Sequence, residues 1–223
     1  MSGMTKARFR AASLVIASAV LLAGLVSHPH LPGPLPNDAA VAAAVASDTT
    51  HWGLSHVTVG IGSGLLVLAF LAIRSYLREA GEERWSVPAV PFIVMGSTLF
   101  TLLPAMEFAP LAAAKTGGDV QAAQAALTPW FVSILFTGSA LFALGVLGFA
   151  AGIVRSRILS PWLTWLVVGA LVVMAATRFV PFSEAQLYVQ GAAGIVALWP
   201  LAYKMWQYPA TLPAEQPRSV AAI

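Results

Sequence analysis

The sequence predicts an all-α, polytopic six-helix transmembrane bundle with both termini cytoplasmic, and three observations carry that reading. Only 9% of the 223 residues are charged and 58% are hydrophobic, where water-facing domains carry about a quarter charged residues. The apolar residues gather into runs long enough to cross a bilayer. The basic residues flank those runs on alternate sides. Mean hydropathy is +0.80. The net charge of +3 therefore comes from topology signals, and no basic patch suited to nucleic acid is present. Cysteine is absent, which excludes disulfides, thiolate metal sites and cysteine nucleophiles.

Taken in order, residues 1–10 form a short basic N-terminus with Lys6, Arg8 and Arg10, and the first span follows at Ala11–Ser27. A basic start before an apolar core also describes a secretory signal peptide. An uncleaved span is the preferred reading, because Ser-His-Pro-His-Leu-Pro follows at once and no small-x-small cleavage site stands near the apolar end. Residues 28–50 form a Pro- and Ala-rich connection in which Asn37 or Asp38 caps a short surface helix ending near Ser47. Asp48-Thr49-Thr50 supplies a fresh cap for the second span, about Trp52–Ile73.

A charged loop from Arg74 to Arg84 precedes the third span, about Val87–Phe108, which has Pro88 and Pro91 in its first turns and Pro104 near its end. A connection through Lys115-Thr116-Gly117-Gly118 leads to Asp119, expected to cap a second short surface helix over Val120–Leu127. The fourth and fifth spans fall at Trp130–Val154 and Leu159–Thr177. After a tight turn at Arg178–Ser183, the sixth runs over Glu184–Tyr203. The division is thus an N-terminus at 1–10, one membrane domain at 11–206, and a Pro-rich cytoplasmic tail at 207–223 expected to be disordered. Ten of the twelve Lys and Arg residues fall on one side; only Lys115 and Arg178 fall on the other. Short loops rich in Lys and Arg stay cytoplasmic, so the chain reads as a multi-pass protein of the bacterial inner membrane. Lipid is its first partner, and other membrane subunits are open as further ones.

Ionisable residues inside spans are costly unless they face the bundle interior or water. His56, Glu107, Arg178 and Glu184 share one depth at the outer ends of spans, and are the candidate ligand-binding or polar cluster. His56, Gly60 and Gly64 follow at i, i+4 and i+8, so a close helix approach at Gly60-x-x-x-Gly64 would carry His56 inward. Glu184 shares a face with Tyr188 and Gly191 by the same spacing. Gly60, Gly64, Gly148, Gly152 and Gly191 are read as helix-packing positions. Three blander readings stand beside the cluster: a structural Arg178–Glu pair, an Arg178 that reaches lipid phosphates, and a His56 that serves only as packing glue. The four histidines, His28, His30, His51 and His56, lie on the outer side. Their local spacings of two and five match no helical ligand pair such as i, i+4, so no metal is assigned.

No nucleotide loop, zinc-protease motif, nucleophile elbow or dinucleotide fingerprint stands in a credible context. No span carries an arginine ladder or a chain of mid-membrane carboxylates. No cofactor is implied. Trp52-x-x-x-His56 on the second span, the late Glu107 on the third, and the Trp- and Tyr-rich end of the sixth carry a resemblance. Over residues 10–206 the chain resembles the poorly characterised six-span bacterial integral membrane proteins grouped as domains of unknown function. The resemblance implies no activity, only that an outer-leaflet His and Glu belong to the pattern; His56 and Glu107 are the matching positions. Three functions compete. The first is binding of a small amphipathic ligand, a lipid or a quinone, with His56 and Glu107 as polar handles. The second is a structural subunit of a membrane complex. The third is a membrane enzyme with Glu107 as general acid/base beside His56, which ranks last because only ordinary serines and threonines are offered as nucleophiles.

Overall fold

The computed structural model describes residues 3–207; the tail expected to be disordered lies, from residue 208 on, outside the described residues. Eight α-helices follow in order: α1 Gly3–Ser27, α2 Asp38–Ser47, α3 Thr49–Glu79, α4 Ser86–Met106, α5 Phe108–Thr116, α6 Val120–Ser156, α7 Pro161–Ala176 and α8 Gln190–Gln207. Among the described residues there is no strand, only an isolated antiparallel bridge between Pro34 and Phe182. Among the described residues six helical segments are long and apolar enough to cross a membrane, with α4 and α5 acting as one and the turn at Glu184 extending α8.

These six close into a ring. Each packs on the next, α1 on α3, α3 on α4, α4 on α6, α6 on α7 and α7 on α8, and α8 returns to α1. The core inside the ring is apolar, with Phe70, Phe142 and Phe149 meeting at ring separations of 5.0–5.8 Å. Lipid tails are as apolar as this core, so close backbone approach has to supply much of the packing energy. A Cβ added at Gly62 would lie 2.6 Å from Leu21 Cα, one at Gly24 would lie 2.7 Å from the Val59 nitrogen, and one at Gly96 would lie 2.5 Å from the Phe142 nitrogen. Gly148 admits Ala89, Gly191 admits Leu22, and Gly152 leaves room for the buried Glu82. That carboxylate accepts from the Trp85 and Ser86 backbone N–H groups and so caps α4. Gly60 and Gly64 do not form the close helix approach that their spacing predicts. Gly60 makes an ordinary contact with Pro104, and a Cβ at Gly64 would meet nothing within 4 Å. The buried stripe of α3 runs through Trp52, His56, Val59, Gly62 and Ser63, so His56 is inward for a different reason than its glycine neighbours.

Two further boundaries differ from expectation. Residues 120–127 are not a separate surface helix; they are the first turns of α6, whose 37 residues continue through Pro129. Asp119 does cap this segment, accepting from the Ala122 N–H at 2.9 Å. Because Pro129 lies well inside a run of good helix formers, the single backbone bond it removes does not end the helix. The supposed connection after Phe108 is helical as well, forming α5 until Gly117 stops it in the left-handed conformation. At the other end of the bundle α1 begins earlier than the apolar run, because Arg10 is tied to α3. Its guanidinium holds both Glu79 carboxylate oxygens, and donates to Ser75 Oγ at 2.7 Å.

Candidate functional site

At the end of the ring where α1 stops, three connections meet over the helix ends. Asn37 caps α2 by accepting from the Ala40 N–H, and Asp48 caps α3 by accepting from Thr50 and His51. Thr128 of α6 donates to Asp38 at 2.7 Å, and the Leu35 N–H donates to the Pro181 carbonyl oxygen at 2.8 Å. Together these bonds hold α2 and the 28–37 loop as a cover over a cavity of about 170 Å³. Its walls are mostly apolar, with Leu103, Val59, Leu135 and Phe136 among them, and His28, His56, Glu107, Gln124 and Arg178 also face it.

Arg178 is the most unusual of these groups. Its side chain is 1% exposed, and none of its three guanidinium nitrogens has a hydrogen-bond partner. The cation is instead sandwiched between the rings of Phe100 and Phe142, 3.9 and 3.7 Å from their centroids. The turn Thr177–Phe179 at the end of α7 points it inward. Neither a structural pair with a glutamate nor a reach to lipid phosphate occurs.

Glu107 sits at the break between α4 and α5, where the backbone turns after Pro104. Its carboxyl is buried, with Oε1 accepting from Gln124 Nε2 at 3.3 Å while Oε2 has no partner. The Trp52 indole N–H donates to its backbone oxygen at 3.1 Å. Trp52 in turn stacks on His56 at 4.3 Å between ring centroids and lies 5.5 Å from His28. The His28 and His56 rings are 4.7 Å apart, with their Nε2 atoms separated by 3.2 Å. Burial lowers the pKa of His28 below its ordinary 6.5, and the nearby His51 acts in the same direction. The His28 imidazole is thus held neutral.

The structure therefore brings His56, Glu107 and Arg178 to one cavity and leaves Glu184 out. Glu184 is 59% exposed and stands 3.7 Å from the equally exposed His30. The reason is local: Glu184–Val189 is a π-helical turn, so the 3.6-residue spacing that put Glu184, Tyr188 and Gly191 on one face does not hold there. Ser183 and Gln190 are the buried residues of this stretch. Sequence reasoning missed His28 and Gln124. His28 looks like an ordinary loop residue beside a proline, and its partner lies 28 positions away. Among the described residues no group of three or more His, Asp or Glu side chains converges as a metal cage.

No protein family, no curated protein and no solved structure matches the chain. The chemistry of this cavity has to be read from its own side chains.

Proposed function

We propose that the protein binds one small amphipathic molecule, of the lipid or quinone class, in this cavity, and does so as a multi-pass protein of the bacterial cytoplasmic membrane. Both termini are then cytoplasmic, and the cavity lies in the outer half of the bilayer beneath α2.

The observation that carries this reading is Arg178. A guanidinium presents five N–H donors, and leaving such a charge buried without acceptors costs several kcal/mol. The two phenylalanine faces offset about 2 kcal/mol each when desolvated, and they leave every donor unused. A carbonyl, carboxylate or phosphate oxygen of a ligand would satisfy those donors, which is the usual construction of a small-molecule site: apolar walls and a few convergent polar groups. Glu107 Oε2 and Gln124 Oε1, also buried and unpartnered, offer a second polar contact across the same cavity. The volume bounds the guest. A cavity of about 150 Å³ accepts a single aromatic ring, so about 170 Å³ takes one ring or a short acyl segment, with any longer tail leaving between helices. Phe136 and Phe179, in contact at 6.3 Å and both exposed on the outer surface of the ring, mark where such a tail would pass.

The test is extraction of the protein in mild detergent followed by mass spectrometry of the small molecules that come with it. One amphiphile per chain is expected in the native protein and in Glu184→Gln, and its loss in Arg178→Met. A folded protein that carries no such molecule, or an Arg178→Met variant that retains it, removes the proposal.

A further inference from the structure

His28 and His56 meet in a way that the ligand reading neither needs nor explains. Each ring holds its Nδ1 against a backbone carbonyl oxygen, His28 on Pro29 at 2.8 Å and His56 on Trp52 at 2.7 Å. A carbonyl oxygen only accepts, so each Nδ1 carries the proton and donates it. In a neutral imidazole the other nitrogen then holds a bare lone pair. Both Nε2 atoms are that other nitrogen, and they face each other at 3.2 Å. Ser55 does not change the assignment. Its hydroxyl lies 2.9 Å from the Trp52 oxygen and 3.4 Å from His56 Nδ1, and moving the proton off Nδ1 would set a lone pair against that oxygen. Two lone pairs held this close repel, and an electron-pair acceptor shared between them turns the contact into an attraction.

We propose that His28 Nε2 and His56 Nε2 are neighbouring ligands of one divalent transition-metal ion, with zinc the class that fits best. With Zn–N bonds of about 2.0–2.1 Å, the 3.2 Å gap closes an N–Zn–N angle of roughly 100–105°, close to tetrahedral. The hydrogen bonds behind the ligands fit as well. Metal-bound histidines almost always donate their second ring N–H to a carbonyl or carboxylate, which fixes tautomer and orientation, and both rings do so here. Trp52 lies against both imidazoles and holds their planes. Two protein ligands leave two positions for water or for a group of the cavity's guest, and the Glu107 carboxyl lines the same cavity. Arg178 opposes the ion, so an anionic guest lying between them strengthens the binding of both. A single shared proton is the competing occupant. Charge-assisted N–H bonds to oxygen run at about 2.7–2.9 Å, and a shared proton would draw the nitrogens toward that range from the 3.2 Å observed.

The full chain in mild detergent, stripped with a chelator, is titrated with Co²⁺, which reports tetrahedral binding by its visible absorption, and then with Zn²⁺ as competitor. One Co²⁺ per chain, displaced by Zn²⁺, is expected. Affinity should fall at least tenfold in His28→Gln and in His56→Gln, and stay unchanged in His30→Gln and His51→Gln. Nitrogen-15 spectra of histidine-labelled native protein provide a readout that needs no variant, with Zn²⁺ shifting two Nε2 resonances and no others. An absent cobalt spectrum, unaltered affinity in both His28→Gln and His56→Gln, or spectra showing one proton shared by the pair in the presence of Zn²⁺ would each overturn the proposal. Because these readouts follow the ion and not the amphiphile, their failure leaves the ligand reading standing, and the reverse holds too.

Discussion

Trp52 donates its indole N–H to the backbone oxygen of Glu107 across 3.1 Å, and this one bond joins the start of α3 to the break between α4 and α5. It reaches the backbone at the break itself: α4 ends at Met106, shortly after Pro104, and α5 starts again at Phe108. The same indole stacks on His56, so a single side chain sets the spacing between the histidine pair and the Glu107 carboxyl. Trp52→Phe keeps most of the ring and deletes the donor. Losing a buried hydrogen bond to a backbone oxygen costs about 0.5–1.5 kcal/mol, and thermal unfolding in detergent should show that loss, accompanied by weaker metal binding. An unchanged midpoint would mean that the bond does not organise the site.

Arg178 should be expendable for stability, which separates a ligand anchor from a structural lock. Replacing buried charge with a well-packed apolar side chain is often neutral or stabilising by about 1–4 kcal/mol. Arg178→Met keeps a long, flexible side chain between Phe100 and Phe142 and removes three unpartnered nitrogens. Ligand-free protein carrying this change is expected to unfold at or above the native midpoint. A clear drop would show that the cation holds the fold together.

The glycines divide by what surrounds them and not by their spacing. Gly62→Ala pushes a methyl against the Leu21 backbone at 2.6 Å, and Gly96→Ala pushes one against Phe142 at 2.5 Å. Overpacking of that kind costs about 1–3 kcal/mol, and rigid backbone on the far side leaves little room to relax. Gly64→Ala enters open space and should gain up to about 1 kcal/mol of helix propensity. Midpoints of the three variants in one detergent decide the matter; a Gly64→Ala loss equal to that of Gly62→Ala would refute the assignment.

Apolar runs between basic loops made the six spans legible, and the caps at Asn37, Asp48 and Asp119 marked helix starts to within a residue or two. Where reading failed, the missing term was tertiary or a departure from 3.6 periodicity. The π-helical turn at Glu184–Val189 rotates Glu184 out of the face its spacing assigned. Gly60 and Gly64 lie along a row that spacing alone cannot distinguish from the row through Val59 and Gly62. The expected break between Val120–Leu127 and the span starting at Trp130 does not occur, because the one backbone bond lost at Pro129 is tolerated in a helix of 37 residues. His28 was invisible as a partner of His56 because the fold, through the α1–α3 contact, is what brings residues 28 apart together. Arg178 was legible as a member of the polar cluster but its surroundings were not, since charge carries no distances: a pair with a glutamate, a reach to lipid and a ligand contact all fitted the same residue.

The two ends of the bundle differ in charge, and that difference sets its orientation in the membrane. One end gathers Arg10 on Glu79, Lys6 on the same carboxylate, Arg8 over the Trp206 ring at 5.5 Å and Arg155 over the Trp85 ring at 5.9 Å. Arg74, Arg78, Arg84, Arg157 and Lys204 belong to that end by helix direction, and among the described residues the opposite end has only Lys115 and the buried Arg178. Membrane insertion keeps short basic loops in the cytoplasm, so the basic end should face inward and the cavity outward. Gly81 and Gly117 are suitable insertion points for a reporter enzyme active only outside the cytoplasm. Each is in a turn with positive φ, 79° and 74°, and neither has an atom within 4 Å of an added Cβ. Reporter activity is expected at Gly117 and silence at Gly81. The reverse pattern would place the histidine pair and Arg178 on the cytoplasmic side, where any guest would have to reach them from the inner leaflet.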